Sequence, residues 1–153
     1  MNQTRFEPAD PGFAERVRAS FGRQQAMHTI GATLAEVEPG RVVIEMPWAA
    51  PLTQQHGFLH AGMLATALDS ACGYAGSSLM PAEAGVLTIE FKINLLAPAE
   101  GQRFRMEGVV IKPGRTITVA EGRAYAISAR GEKLVATMNA TLMAVTGREN
   151  IKH

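Results

Sequence analysis

The segment that decides the fold runs from residue 58 to residue 80 and reads Phe-Leu-His-Ala-Gly-Met-Leu-Ala-Thr-Ala-Leu-Asp-Ser-Ala-Cys-Gly-Tyr-Ala-Gly-Ser-Ser-Leu-Met. Between His60 and Glu83 its only charged residue is Asp69. Alanine, leucine and methionine favour an α-helix, and the length predicts roughly five turns. A helix that is apolar on all sides is either deeply buried or spans a membrane. Because polar residues lie inside the segment and no basic flank sets an orientation, we expect burial and no membrane contact.

A short helix and a β-hairpin are predicted before this helix. Asp10-Pro11 begins a short amphipathic helix, with Pro at the first helical position and an apolar stripe along one side. Residues 30–48 then predict a hairpin of two strands, because apolar and polar residues alternate on both sides of a turn at residues 38–41. That turn has Pro and Gly where a type II turn requires them.

The second half of the chain predicts one strand after another. The clearest alternation covers residues 87–95, and further strands are expected near 103–107, 117–127 and 134–145, with a bulge at Gly108. Short turns between these strands require antiparallel pairing, because parallel strands need long crossovers. The predicted architecture is α+β, one long central helix wrapped by a roughly six-stranded antiparallel sheet.

Composition and charge limit the classes of function. The chain has 153 residues, of which 46% are apolar, a size that suits one domain. Its 15 basic and 14 acidic residues form no block of either sign, which argues against a nucleic-acid-binding protein. Charged residues are only 19%, fewer than the typical ~25%, so we expect a partner to cover part of the surface. The opening residues are too polar for a signal peptide, which favours a cytoplasmic protein.

Asp69 requires an explanation, because a carboxylate in an apolar helix carries a large desolvation cost unless it is paired or functional. It could fix the register of a dimer, but we favour a functional site, where perturbed ionisable groups concentrate. His60, Ala61 and Gly62 stand at the predicted helix start, where free N–H groups and the helix dipole suit a carbonyl oxygen or oxyanion. The structural alternative is that His60 caps the helix and the small residues after it pack against a strand.

The spacing of His60 and Asp69 places these residues on opposite faces of the helix. Asp69 lies nine positions after His60, a separation that turns a helix by about 900° and advances it by about 13 Å. The two side chains can hardly act on the same substrate atom within one chain. If both belong to one site, Asp69 must come from another subunit.

Other chemistries are less consistent with the sequence. His56 and His60 are four residues apart, a spacing that could bind a metal on one helix, but Gly57 lies between them and no third ligand is evident. We therefore predict no metal site, and the lack of a phosphate-binding motif argues against a nucleotide cofactor. Cys72 is expected to be a small buried apolar residue, and Tyr74 a core residue or tunnel wall.

The stretch from Gln54 to Gly62, followed by Asp69, resembles the signature of hotdog-fold acyl-CoA thioesterases, particularly the phenylacetate-degradation (PaaI-like) group. The resemblance extends over roughly residues 28–145, and Leu95-Leu96-Ala97-Pro98 resembles the end of a strand in that family. It implies a hotdog fold, in which an antiparallel sheet wraps around one long helix, with sites at a dimer interface.

On this basis we predict three regions of the chain. Residues 1–28 form an N-terminal extension with a short helix, residues 29–146 form the hotdog thioesterase domain, and residues 147–153 form a tail.

The resemblance also implies roles for individual residues. Asp69 would be the acid/base or nucleophile that activates water or attacks the thioester. The backbone N–H of Ala61 would hold the thioester oxygen as charge develops on it. Gln54 would orient water or the carboxylate, and His60 would support the helix start. Thr88 lies near a position where relatives carry a serine that helps to place water.

Two residues depart from the pattern of the family. Ala61 stands where the usual motif has glycine, so the N–H is retained but the methyl group narrows the approach. Gly73, one turn after Asp69, lacks the hydroxyl group that the 4-hydroxybenzoyl-CoA thioesterase branch places there. Gly62 and Gly73 are assigned to substrate binding, and the choice between base and nucleophile stays open for Asp69.

The implied activity is hydrolysis of an acyl-CoA to a free acid and CoA, without a cofactor, by a homodimer that pairs into a homotetramer. A hydratase or dehydratase of acyl thioesters on the same fold is the first alternative. The helical phase of His60 and Asp69 argues against it, because such sites resemble a His and an acid acting together. A non-catalytic acyl-CoA-binding or regulatory module is the second alternative. Such a module would normally need an extra partner-binding segment, and residues 1–28 are too short for a DNA-binding domain. The sequence does not indicate which acyl group is bound.

Overall fold

The computed structural model describes residues 5–151 and residue 153. The first four residues of the predicted extension and Lys152 of the predicted tail lie outside the described residues, and the division of the chain into three regions stays a prediction. Three α-helices, one short 3-10 helix and six strands follow one another along the described chain. They are α1 (Phe13–Arg23), α2 (Gln25–Thr29), β1 (Thr33–Glu38), β2 (Arg41–Pro47), the 3-10 helix (Ala50–Leu52), α3 (Ala61–Ser77), β3 (Gly85–Leu95), β4 (Arg103–Lys112), β5 (Ile117–Ser128) and β6 (Gly131–Val145).

The six strands form one antiparallel sheet in the order β1-β2-β4-β5-β6-β3. β3 is next to neither β2 nor β4, its neighbours in the sequence, and pairs with β6. β1 and β3 are therefore the two edge strands of the sheet. α3 packs across one face of the sheet and contacts β2 to β6. The predicted α+β architecture, a long central helix against a six-stranded antiparallel sheet, is confirmed.

Two glycines let α3 approach the sheet closely. Gly108 of β4 and Gly122 of β5 lie opposite each other in the sheet. A Cβ atom at Gly108 would lie 2.6 Å from the backbone nitrogen of Cys72 and closer still to the carbonyl group of Ala71. A Cβ atom at Gly122 would lie 2.9 Å from the side chain of Leu68. The helix backbone therefore rests directly on the sheet at this point.

The predicted bulge at Gly108 is wrong. Gly108 pairs in regular register with Val42 and Gly122, and the irregularity in β4 lies between Val110 and Lys112. A glycine inside a strand marks either a bulge or a close approach of backbone. Here it marks the contact with α3.

The N-terminal helix also begins later than predicted. Pro11 is not the first helical residue, because the carboxylate of Asp10 accepts a hydrogen bond from the N–H of Gly12 and the helix starts at Phe13. Residues 25–29 form the unpredicted helix α2, so the first strand starts at Thr33 rather than at residue 30.

The strand predicted over residues 87–95 is confirmed, but most of its apolar residues do not face the core; Ile93 is partly buried and packs against it. Leu87, Ile89, Phe91 and Leu95 are between 42% and 54% exposed. In β6, by contrast, the predicted apolar face is buried at Ala136, Met138, Ala140 and Leu142. The sheet therefore leaves an apolar edge at β3.

The side of α3 that faces away from the sheet is covered by the same chain over its C-terminal half. The guanidinium group of Arg16 in α1 donates hydrogen bonds to the carbonyl oxygens of Ser77 and Met80. The N-terminal half of α3 stays half-buried at Ala65, Thr66 and Asp69. The surface of α3 that a second subunit could cover is therefore confined to its N-terminal half. No helix among the described residues is long and apolar enough to cross a membrane.

Candidate active site

Asp69 lies on the half-buried face of α3, with its carboxylate held by β3. The hydroxyl group of Thr88 donates a hydrogen bond of 2.8 Å to Oδ1 of Asp69. Burial raises the pKa of Asp69 above the ordinary carboxyl value, and the hydrogen bond from Thr88 offsets part of this effect. Two of the predicted site residues are thus in direct contact.

Thr88 reaches the helix because it lies on the face of β3 that points toward α3. It pairs with Leu142 of β6, and the register of β3 shifts between Thr88 and Glu90. The exposed neighbours Leu87 and Ile89 point away from the helix, as the alternation of a strand requires. The pleat of the edge strand therefore places the hydroxyl group at the carboxylate.

A cavity of about 110 Å³ opens beside Asp69. Its wall includes Gly73, one turn after Asp69, where an added Cβ atom would meet nothing within 4 Å. The prediction that Gly73 lies at the substrate is consistent with this position. The cavity is lined by Gln24, Asp69, Ser70, Gly73, Tyr74, Val86, Thr88 and His153.

A larger cavity of about 840 Å³ lies elsewhere, between the N-terminal segment at residues 5–8, the β1–β2 turn and the end of β4. It contains none of the residues that the sequence assigns to the site. Size alone would favour it, but it lacks a buried titratable group and contains both acidic and basic side chains. We therefore take the smaller cavity as the candidate site.

Polar side chains form the wall of the small cavity that faces away from the sheet. The side-chain amide of Gln24 donates a hydrogen bond of 3.0 Å to Oγ of Ser70, and its oxygen accepts one of 3.3 Å from the hydroxyl group of Tyr74. Gln24 connects α1 to α2, in the region predicted as an extension. No local pattern in the sequence indicates this role, because only the packing of α1 on α3 brings Gln24 to the cavity.

His153 also reaches this cavity, although it belongs to the predicted tail. Its Nε2 atom accepts a hydrogen bond of 2.9 Å from the N–H of Val86, so Nδ1 carries the proton and donates to Oγ of Ser20 at 2.6 Å. Burial lowers the pKa of His153. Its ring stacks edge-on against Tyr74, with the centroids 5.9 Å apart.

The start of α3 forms a second group of predicted site residues. His60 is the N-cap, and its Nδ1 atom accepts a hydrogen bond of 2.8 Å from the N–H of Gly62. The missing side chain of Gly62 makes room for that ring, because a Cβ atom there would lie 3.0 Å from Nδ1. The N–H of Ala61 makes no hydrogen bond within the described part of the chain. The helix start therefore offers one free backbone donor.

Gln54 lies in the turn that leads to this helix start. Its side-chain oxygen accepts a hydrogen bond of 2.6 Å from the N–H of His56, and Gly57 closes the turn with a φ of +83°. The indole N–H of Trp48 donates to the carbonyl oxygen of Gly57. The side chain of Gln54 thus supports its own turn in the protomer and makes no hydrogen bond to Asp69.

The predicted site residues therefore form two separate groups within one protomer. Asp69, Thr88 and Gly73 share the small cavity, whereas the helix-start group is absent from its wall. This separation agrees with the opposite helical phase of His60 and Asp69. His56 precedes α3, so His56 and His60 do not lie together on one helix. Among residues 5–151 and 153, no three His, Cys, Asp or Glu side chains lie close enough together to hold a metal ion.

Cys72 does not contribute a nucleophile. It is fully buried, and burial together with the charges of Asp69 and Glu121 raises its pKa to about 12. The thiolate, which is the reactive form, is therefore absent near neutral pH. The expectation that Cys72 is a small buried apolar residue is confirmed.

Comparison with known proteins identifies relatives of the chain. The sequence model described as the Thioesterase superfamily matches residues 56–133. A solved thioesterase family protein from Silicibacter pomeroyi is 58% identical with a TM-score of 0.88, over 89% of this chain and 100% of that chain. The protein named "Putative esterase SSO2140" of Saccharolobus solfataricus is 34% identical over 97 residues, which are 63% of this chain and 69% of that protein. The PaaI protein of E. coli, from the phenylacetic acid degradation operon, is 18% identical with a TM-score of 0.78, over 88% of this chain and 94% of that chain, a likeness of fold alone.

Proposed function

Since the chain belongs to the thioesterase superfamily and is a thioester hydrolase of the hotdog fold, we propose that it hydrolyses acyl-CoA to a free acid and CoA at a site shared between two subunits. The observation that carries this proposal is the separation of two complementary groups on α3. One group supplies the Asp69 carboxylate, and the other supplies the free N–H of Ala61. Neither group alone provides both a base and an oxyanion donor.

An exposed strand edge supports the dimer. Among the described residues β3 pairs with no strand other than β6, so its other edge carries backbone N–H and C=O groups that no strand satisfies. The N–H of Val86 is already occupied, because it donates to Nε2 of His153. Unpaired edges favour pairing with another chain unless they are blocked. Four exposed apolar residues lie along β3, and a soluble protein rarely leaves such a row uncovered. Because Thr88 of this strand contacts Asp69, a second copy paired at β3 would approach the carboxylate directly.

The apolar surface of β3 continues across the sheet, which supports the pairing of dimers into a tetramer. Met143 of β6 lies between Leu87 of β3 and Ile117 of β5 in the sheet. All three side chains are exposed and point away from α3. The cytoplasmic location expected from the sequence stays a prediction.

In the proposed mechanism Asp69 acts as a general base. Its carboxylate removes a proton from water while the water oxygen forms a bond to the thioester carbonyl carbon. The negative charge that develops on the carbonyl oxygen is stabilised by the N–H of the partner subunit's Ala61. The C–S bond then breaks, the carboxylic acid is released, and the proton on Asp69 passes to the departing thiolate of CoA.

The electrostatics of Asp69 favour the base over the nucleophile. A proton acceptor works best when its pKa is near the operating pH, and burial moves the pKa of Asp69 in that direction. Carboxylates that act as nucleophiles or charge stabilisers stay ionised in polar surroundings. The hydrogen bond from Thr88 occupies Oδ1, which leaves Oδ2 for water.

The geometry does not favour the hydratase alternative within one chain. Nδ1 of His60 accepts the N–H of Gly62, so His60 serves the helix cap. His60 and Asp69 do not meet in the protomer.

Release of free thiol from a panel of aliphatic and aromatic acyl-CoAs tests the proposal, with wild-type protein and Asp69→Asn compared. We expect hydrolysis of at least one substrate and a loss of about 100-fold or more in kcat for the variant, the scale of a lost general base. Glu83→Gln is the matched control, because Glu83 is an exposed carboxylate outside the site. Folded, oligomeric wild-type protein that releases no thiol across the panel would falsify the proposal.

A further inference from the structure

We propose that the cavity beside Asp69 receives the acyl group, and that Gln24 from the N-terminal extension selects a compact acyl group that carries a hydroxyl group. This inference rests on the proposed function. Asp69 and Thr88 form one end of the cavity, so a thioester carbonyl placed at the carboxylate directs its acyl group along the cavity wall.

Gly73 leaves the path along α3 open. It lies four residues after Asp69, on the same face of the helix, and an added Cβ atom would meet nothing within 4 Å. A larger side chain at position 73 would therefore fill part of the cavity without colliding with the fold. The length of the acyl group that fits depends on this position.

The volume of the cavity limits the acyl group. About 110 Å³ is available, which is smaller than the roughly 150 Å³ cavity that holds benzene in an engineered apolar core. A compact acyl group therefore matches this cavity better than a long one.

The chemistry of the far wall favours a hydroxyl group over a methyl end. Ser70 and Tyr74 are nearly buried, and both hydrogen-bond to the side-chain amide of Gln24. One N–H of that amide bonds to Ser70, and the second N–H makes no hydrogen bond within the described residues. An acyl hydroxyl group can accept from the second N–H, whereas an alkyl end would desolvate it without replacement.

A purely structural role for these side chains is the alternative. The same hydrogen bonds join the α1–α2 junction to α3, so loss of Gln24 could lower activity by loosening that contact. A structural effect lowers kcat/KM for all substrates by a similar factor. A selective role changes the ratio between two substrates that differ only in the hydroxyl group.

The test measures kcat/KM for acetyl-, butanoyl-, hexanoyl- and octanoyl-CoA and for 3-hydroxybutanoyl-CoA. We expect the wild-type protein to prefer 3-hydroxybutanoyl-CoA to butanoyl-CoA by about tenfold, and to lose activity with chain length after butanoyl-CoA. In Gln24→Leu the preference falls to about onefold. Gln25→Leu is the control, because the neighbouring Gln25 is exposed and outside the cavity, and it keeps the wild-type ratio.

Two further variants keep the test decisive. If Gln24→Leu does not fold, Ser70→Ala removes the partner of the amide and should lower the same ratio. Gly73→Val should lower kcat/KM for hexanoyl-CoA more than for acetyl-CoA. An equal ratio in Gln24→Leu and Gln25→Leu, or a wild-type protein indifferent to the hydroxyl group, overturns this inference. Absence of any Asp69-dependent hydrolysis overturns the proposed function instead.

Discussion

The hydroxyl group of Thr88 donates to Oδ1 of Asp69 over 2.8 Å, and this bond joins the edge strand β3 to the central helix at the candidate site. It holds one oxygen of the carboxylate and leaves the other free. It also opposes the effect of burial on the pKa of Asp69, because a donated hydrogen bond favours the charged form. Placement and ionisation of the carboxylate therefore depend on one side chain.

Replacing Thr88 should shift the pH dependence of hydrolysis. In Thr88→Val the carboxylate loses the hydrogen bond that lowers its pKa, so the pKa of Asp69 rises further. Since the ionised form is the base, the acidic limb of the kcat/KM profile moves to higher pH. Thr88→Ser keeps the hydroxyl group and should keep the wild-type limb. Identical limbs in wild type and Thr88→Val would contradict the assignment of Asp69 as the titrating base.

Asp69→Asn should stabilise the fold at neutral pH. The pKa of Asp69 is raised by burial in the folded state, so the unfolded state ionises first as the pH increases. Stability is therefore lost as the pH rises from the unfolded to the folded pKa. Asparagine removes this loss and can still accept from Thr88. Thermal unfolding should show a higher Tm for the variant at pH 7 and a smaller difference at acidic pH; a Tm at pH 7 below that of wild type would contradict this account.

Gly108→Ala should destabilise the protein strongly. Its methyl group would collide with the backbone of α3, which cannot move as a side chain can, so we expect a loss of about 3 kcal/mol. Gly22→Ala is the matched control, because a methyl group at this exposed position of α1 meets nothing within 4 Å. That change should gain about 0.5–1 kcal/mol from helix propensity. Chemical denaturation measures both, and similar midpoints for the two variants would refute the close contact.

A charge on β3 should separate the subunits. Ile89→Lys places a cation on the outward face of the edge strand. We expect a monomer in light scattering and at least about 100-fold lower kcat, because a shared site is then incomplete. Ile111→Lys is the control: Ile111 is 51% exposed against 53% for Ile89, but it lies at the end of β4. A monomeric Ile89→Lys variant with full activity would show that one subunit suffices.

The sequence predicted the elements of the fold better than their faces. A long uncharged segment was enough to locate α3, and alternation was enough to locate β3. Alternation does not state which face is the core, and Ile89 and Phe91 point outward. A lone glycine in a strand pattern is ambiguous in the same way, which is why Gly108 was predicted as a bulge.

The site residues that were predicted from the sequence lie on one element, α3, or belong to the motif of the family. Asp69 was identified because charge is rare in an apolar helix, and Thr88 because it lies near a position where relatives carry a serine. The hydrogen bond between them was not predicted. Gln24 and His153 reach the cavity through the packing of α1 and the tail, which no local pattern encodes. Tyr74 was placed as core or wall, and it is nearly buried while it lines the cavity.

The bare contact of α3 with Gly108 and Gly122 has an evolutionary consequence. A different catalytic side chain can replace Asp69 only while α3 stays equally close to the sheet. That distance is set by Gly108 and Gly122, which carry no functional groups. In a saturation library screened for thioester hydrolysis, positions 108 and 122 should tolerate as few replacements as position 69, and Gly108 should be the stricter because its neighbour is backbone. Lineages with new substrates should therefore diverge around the cavity while both glycines persist.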